Sequence, residues 1–353
     1  MAPALLPRPE EVTPGWLSEV LGHPVTGFET EPVGTGQMGD SFRFRLAYES
    51  APANAPETVV GKFTPASEAS RATAVTMRTS EVEVRFYQQL AGKVGIRVPH
   101  VWFCDVRPET GEYVIVMEDM AGSVPGDQVA GCSVDQASLA LDELARLHAP
   151  LWGDPALHSY EWLDRSTAEN RGMHRALLQM LWDGFRERYA DRLEPEVVDL
   201  GEVFVSRLEP FLEHQPAAAT VQHGDYRLDN LLFGRDEGSP PVCVVDGQTV
   251  SLGPGLSDVS YFCGAGLQPE DRRAGERQLV EQYHGRLVSL GVEGYDWDAA
   301  WEDYRRYAFS GLLMAVGASM LVERTDRGDD MFMAMAHRHA THALDLDSLE
   351  LLR

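Results

Sequence analysis

The sequence predicts an α+β chain in two lobes: a smaller N-terminal part of strands with a helix, then a larger, mostly helical C-terminal part. Three observations lead there. The chain has 353 residues, more than one domain usually holds. Between Val33 and Met117 short runs follow strand periodicity, as where Phe42, Phe44, Leu46 and Tyr48 alternate with Arg43, Arg45 and Ala47. Beyond Gly122 the apolar spacing turns helical, with Ala140, Leu144, Leu147 and Leu151 falling on one face. The expected division is 1–117, a linker at 118–122, and 123–353.

The elements follow in order. Residues 1–30 are proline-rich and hold one helix, Pro14 to Leu21, expected to act as a docking segment; strands begin at Val33. Ser50 to Pro56 is a loop and Thr58 to Phe63 a strand. Ser80 to Leu90 is a helix with Val82, Phe86 and Leu90 along one face. Val98–Phe103 and Tyr113–Met117 pair through a turn at Pro108–Gly111. After the linker, one helix ends near Trp152-Gly153 and others lie at about 167–190 and 195–214. Short strands at Asn230–Phe233 and Val242–Val245 precede helices running from Asp258 to the end.

Composition narrows the possibilities. A formal charge of −25 argues against nucleic acid, whose phosphates need a basic footprint. It suits a cationic substrate, although solubility alone accounts for it. The most apolar helix candidate, Phe309 to Leu321, is too short for a membrane span. The N-terminus lacks the charged and apolar regions of a secretory signal. Cys104, Cys132, Cys243 and Cys263 show no C-x-x-C spacing, so reduced thiols in the cytoplasm are expected and a zinc site is not.

The chemistry concentrates in His223-Gly-Asp-Tyr-Arg-Leu-Asp-Asn-Leu-Leu-Phe233 and in Val242-Cys-Val-Val-Asp246-Gly-Gln. Asp225 and Asn230 stand five positions apart on a loop, and Asp246 follows. Phosphoryl transfer from ATP needs a carboxylate to orient and deprotonate a hydroxyl, and hard oxygen ligands for Mg²⁺. Asp225 is the candidate base; Asn230 and Asp246 are the candidate metal ligands. Alone, each has a structural explanation, as a turn residue, a cap and a strand-end acid.

Residues ahead of this loop complete the set. Gly34-Thr-Gly36-Gln-Met-Gly39 matches G-x-G-x-x-G, which dinucleotide folds also use. A strand follows it rather than a helix, as in a hairpin covering ATP phosphates. Gly34, Gly36, Gly39 and the adjoining Ser41 are therefore candidate nucleotide contacts. Only Lys62 and Lys93 are lysines among 30 basic residues. Lys62 sits on a strand, where a compact point charge bridges phosphates and a carboxylate as a planar guanidinium would not. Glu81 and Glu83 cannot share one helix face, so at most one reaches it. Glu118 and Met120 in the linker are main-chain candidates for an adenine edge.

Other features have structural explanations. His223 supports its loop and His148 packs in the core. Arg227 either touches the transferring phosphate or shapes the loop. Asp258 caps the helix that follows and ties down the catalytic loop. His337, His339 and His342 lack the i, i+4 spacing of a helical metal pair. Trp162, Trp182, Tyr304 and Asp329 are candidates to line an acceptor pocket.

The loop resembles the H-R-D-x-x-x-x-N and D-F-G pair of protein kinases, with Gly224 in place of the arginine. Over most of its length the chain resembles the aminoglycoside phosphotransferase-like kinases, a family that includes antibiotic and choline kinases. The likeness is specific at His223–Phe233 and Val244–Phe262 and looser at the glycine loop, Lys62 and Glu83 to Tyr87. It implies a bilobal, protein-kinase-like fold with an antiparallel sheet in the small lobe. It implies that Lys62 binds the α- and β-phosphates, Glu83 orients it, Asp225 is the base, and Asn230 and Asp246 hold magnesium. The family usually carries an aromatic or bulky apolar residue after the metal-binding aspartate; here it is Gly247. The expected activity is ATP- and Mg²⁺-dependent phosphorylation of a small-molecule hydroxyl. An antibiotic-resistance kinase and a catalytically silent pseudokinase are the alternatives.

Overall fold

The computed structural model describes residues 3–33, 39–50, 54–164, 168–214, 216, 218–235, 238–322 and 324–353. They form two compact units: one of residues 1–92, 97–123 and 244–249, the other of 93–96, 124–243 and 250–353.

The first unit is built on five strands, β1 (Val25–Pro32), β2 (Asp40–Tyr48), β3 (Thr58–Phe63), β4 (Val101–Arg107) and β5 (Glu112–Glu118). They pair antiparallel in the order β1-β2-β3-β5-β4. Both faces are covered, which explains why Tyr113 to Met117 reads as an unbroken buried run. Val114 and Val116 join Phe44, Val59 and Phe63 against Trp16 and Leu17 of α1 (Pro14–Leu21). Tyr113, Ile115 and Met117 face the other way, with Val84 and Val106. The α1 boundaries are written locally: Thr13 accepts a hydrogen bond from the Trp16 N–H, Pro14 opens the helix, and Gly22 closes it at φ 71°.

Several N-terminal expectations need correction. Strand structure begins at Val25, not Val33. The β1 residues Thr26, Glu29, Thr30 and Glu31 give this edge strand little apolar alternation to read. A helix, α2 (Glu68–Met77), was not anticipated because it buries only Ala74. The next, α3 (Thr79–Gln89), matches the expected one. β4 starts after Pro99, which has no N–H to give a ladder, and runs on to Arg107.

The second unit is mainly helical. After the short β6 (Ser123–Pro125), α4 (Val134–His148) opens with a reciprocal Ser133–Gln136 capping box. α5 (Ala168–Arg188), α6 (Pro195–Ser206) and α7 (Leu208–Glu213) follow, the last two parted at Arg207 where one helix was expected. The strands β7 (Thr220–Gln222), β8 (Leu231–Gly234), β9 (Val242–Val244) and β10 (Ser251–Gly253) are short, and β7 pairs antiparallel with β10. α8 (Gly255–Gly266) is buried on nearly every side. α9 (Pro269–Ser289), α10 (Trp297–Arg306), α11 (Ser310–Leu321) and α12 (Asp326–Asp345) complete the unit. No helix among the described residues is long and apolar enough to cross a membrane.

Candidate active site

In the first unit the site begins at Lys62, near the end of β3. Its ammonium donates to Glu83 Oε2 and to Asp246 Oδ1, both at 2.7 Å. Glu83 comes from α3 and is buried, while Glu81, on another face, pairs with Arg78 at 2.9 Å. This settles which acid reaches the lysine. Burial alone would drive the Lys62 pKa down, but the charges of Asp246 and Glu83 outweigh it and hold it well above the ordinary value. Burial pushes the Glu83 carboxyl above its usual range, against the pull of Lys62. Its charge therefore depends on that one cation.

Asp246 adopts φ 67°, a left-handed backbone that a non-glycine residue rarely takes. Such strain collects at functional sites. Gln248 donates to Asp246 Oδ2 at 3.0 Å and so fixes the second carboxylate oxygen. Gly247, the departure from the family pattern, is buried in a short 3₁₀ turn.

Gly39 shows why its position excludes a side chain. A Cβ there would lie 2.2 Å from the Tyr113 hydroxyl and 3.3 Å from Lys62 Cε. Ser41 sits opposite Lys62 in the β2–β3 register. Gly34 and Gly36 lie outside the described residues. Glu118 ends β5; its N–H donates to the His100 carbonyl and its carboxylate takes Arg97 in two bonds of 2.9 and 2.7 Å. Met120 accepts at its carbonyl from the Ser123 N–H. Between them Asp119 receives Arg43 at 2.6 and 3.1 Å, tying this segment to β2.

In the second unit the loop after β7 carries Asp225 and Asn230. Gly224 stands at φ 80°, a conformation an arginine would occupy only under strain. The Gly224 and His223 N–H groups both donate to Asp258, at 2.9 and 2.7 Å. His148, fully buried as expected of a core histidine, contacts Asp258 at 3.2 Å and the Tyr283 hydroxyl at 2.7 Å. Asp258 thus ties down the loop, as expected. It does not cap α8: the N-cap is Pro254, and Asp258 lies one turn inside the helix.

Asp225 is held from two sides. Oδ2 accepts from Arg227 Nε at 3.0 Å and Asn230 Nδ2 at 3.1 Å, and Oδ1 from the Tyr261 hydroxyl at 2.7 Å. Asn230 Nδ2 also donates to the Asp225 carbonyl at 2.9 Å. With its nitrogen committed, the Asn230 side-chain oxygen is the atom available to a cation. Arg227 bridges Asp225 and Asp229, the latter at 2.7 Å, so it shapes the loop.

The acceptor-pocket candidates fare differently. Tyr304 is fully buried and donates to Glu276 at 3.0 Å; Trp182 packs against Gly201 and stacks on Phe185. Both belong to the core, as does Trp162. Asp329 is buried between Tyr189 and Arg324, each at 2.7 Å. Aromatic and acidic character alone did not separate core from pocket. Conversely, Tyr261 and Gln248 were missed, since only their contacts with Asp225 and Asp246 mark them.

A five-stranded antiparallel unit carrying a lysine paired to a buried glutamate, with a helical unit carrying an aspartate–asparagine loop, defines a kinase-like α+β protein. Solved structures agree on the fold. The GDP complex of wild-type aminoglycoside 2'-phosphotransferase-IIIa is similar with a TM-score of 0.54 at 16% identity, over 89% of this chain and 94% of that one. A choline kinase from Cryptosporidium parvum is similar with a TM-score of 0.53 at 11% identity, over 95% and 92%. Residues 34–291 match the ecdysteroid kinase-like family, and the chain belongs to that family. The small-molecule kinase family resemblance carried by the His223–Phe233 loop is thereby borne out. Comparison with curated proteins finds no match.

Proposed function

We propose that the chain transfers the γ-phosphoryl group of ATP to a hydroxyl of a small molecule, with magnesium as the metal. The observation that carries this is the Lys62 ammonium bonded at 2.7 Å to both Glu83 and Asp246. An ion triad with Glu83 buried and Lys62 only 14% exposed is a costly way to stabilise a protein, and replacing buried ions with apolar residues is often neutral or favourable. Its presence here points to use. Lys62 is the contact to the nucleotide phosphates, with Glu83 keeping it oriented. Gly34, Gly36, Gly39 and Ser41 are the phosphate-covering segment, and Glu118 and Met120 contribute main-chain groups toward the base. Asp225 orients the acceptor hydroxyl and takes its proton.

The donor set fits a hard divalent cation. The Asp246 carboxylate and the Asn230 amide oxygen are hard oxygens, and magnesium takes few protein ligands beside phosphate and water. Magnesium bound there supplies charge neutralisation on the phosphates. Cys104, Cys132 and Cys263 are free thiols, which accords with a cytoplasmic protein.

The test uses γ-labelled ATP and magnesium with a cell metabolite extract. Wild-type protein should yield a phosphorylated product that disappears with Asp225→Asn. Asp246→Ala should lose magnesium-dependent ATP binding in calorimetry. Unchanged affinity in that variant refutes the assignment.

A further inference from the structure

We infer that Tyr261 is a positioning residue for Asp225, and that His339 fixes Tyr261 in turn; this rests on Asp225 being the base. The Tyr261 hydroxyl lies 2.7 Å from Asp225 Oδ1. A carboxylate only accepts, so the phenol is the donor. Burial, reinforced by the nearby Asp225 charge, raises the Tyr261 pKa well above its ordinary value and keeps that proton in place. Arg227 and Asn230 both hold Oδ2. Tyr261 alone grips the other oxygen among the described contacts, and it sets the rotation of the carboxylate about its last bond. Oδ1 retains a second lone pair for the acceptor hydroxyl.

The phenol is itself fixed. Its ring stacks on His339, centroids 5.5 Å apart and planes 15° from parallel. His339 is fully buried on α12 in a slot that two glycines leave open. A Cβ at Gly311 would lie 1.8 Å from His339 Nε2, and one at Gly264 would lie 2.4 Å from Nδ1. Side chains there would displace the imidazole, and with it the support under the tyrosine. Asp225 is therefore oriented by packing among α8, α11 and α12 as well as by its own loop.

The experiment measures phosphate release from ATP and magnesium chloride, with water as the acceptor. Tyr261→Phe removes one hydroxyl and keeps the ring and its stack. The rate constant should fall about 10-fold, as expected for losing one hydrogen bond to a charged group. KM for ATP should stay within about 2-fold and the melting temperature within about 2 °C, because neither nucleotide contacts nor the core change. In an Asp225→Asn background the second substitution should add nothing. An unchanged rate in Tyr261→Phe, with Asp225→Asn inactive, overturns the inference and leaves the base assignment standing. A fall in rate matched by a raised KM and a lowered melting temperature marks a merely structural tyrosine and also overturns it. Hydrolysis by Asp225→Asn at the wild-type rate, or none by the wild type, overturns the base assignment and this inference together.

Discussion

The Lys62 triad and the Asp225 loop are held by opposite means. Around Lys62 one cation meets two carboxylates, and Glu83 has little beyond that cation to satisfy it. Around Asp225 the donors are of several kinds: a guanidinium, an amide, a phenol and, through Asp258, two backbone N–H groups. The loop is held by the protein's own groups. The triad's Asp246 side chain is 24% exposed against 2% for Glu83, so on the proposed function the Lys62–Asp246 bond is the one that phosphate oxygens would replace.

The largest effect should come from Lys62→Met. It leaves Glu83 buried without its cation, a break that typically costs about 3–5 kcal/mol. Urea unfolding at pH 8 should show a loss at the lower end of that range. Glu83→Gln added to the variant should restore most of it, since the uncompensated charge is then gone. A loss that the second substitution does not repair would mean packing, not charge, holds this corner. ATP binding should remain absent in both variants.

Asp258→Asn probes the other region and should cost less, about 2 kcal/mol. One of the two N–H groups of His223 and Gly224 would then face an amide nitrogen instead of an oxygen. Phosphate release should drop about 10-fold as Asp225 loses its fixed backbone. If stability falls while the rate holds, the loop keeps its shape without Asp258 and is less dependent on that anchor than its hydrogen bonds suggest.

Much of both regions was legible because their residue types are improbable for structural reasons. Lysine on a strand of an arginine-rich chain marked Lys62, and the Asp–Asn spacing marked Asp225 and Asn230. The strand pattern of Phe42 to Tyr48 placed β2, whose apolar side chains do face the core. What stayed hidden depends on long-range packing or backbone angles. Tyr261 sits 36 residues from Asp225, inside a helix whose buried faces mask any polar role. Gly224 looked like a replaced arginine, whereas its φ of 80° gives a conformational reason for glycine. The helix α2 and strand β1 bury too little apolar surface to leave a periodic trace. Tyr304 and Trp182 lie in the core, which aromatic residues at helical spacing commonly fill.

The smallest effect separates the two regions by pH. The raised Lys62 pKa contributes stability that is present below the lysine's unfolded value of about 10.5 and lost as pH rises through the folded value. His339, stacked on Tyr261, and its neighbour His342 work from the acid side. Burial lowers the His339 pKa well below its ordinary value, with His342, Arg272 and Arg338 adding to the shift and the Ala308 backbone opposing it. Burial also lowers that of His342, with Glu276 and Asp345 opposing and Arg272 assisting. With both pKa values lowered by the fold, the unfolded chain takes up protons more readily below pH about 6.5, so stability falls as pH drops through that value. A histidine held neutral by the fold contributes a slope of about 1.4 kcal/mol per pH unit once the unfolded form is fully charged, and His339, with the larger shift, is the one expected to show it. Unfolding measured from pH 7 to 5 should therefore be shallower in His339→Leu than in wild type by about one histidine's share, whatever the variant's stability at pH 7. Identical slopes would show that His339 is protonated within the fold, and the slot between Gly264 and Gly311 would then have to hold a charge.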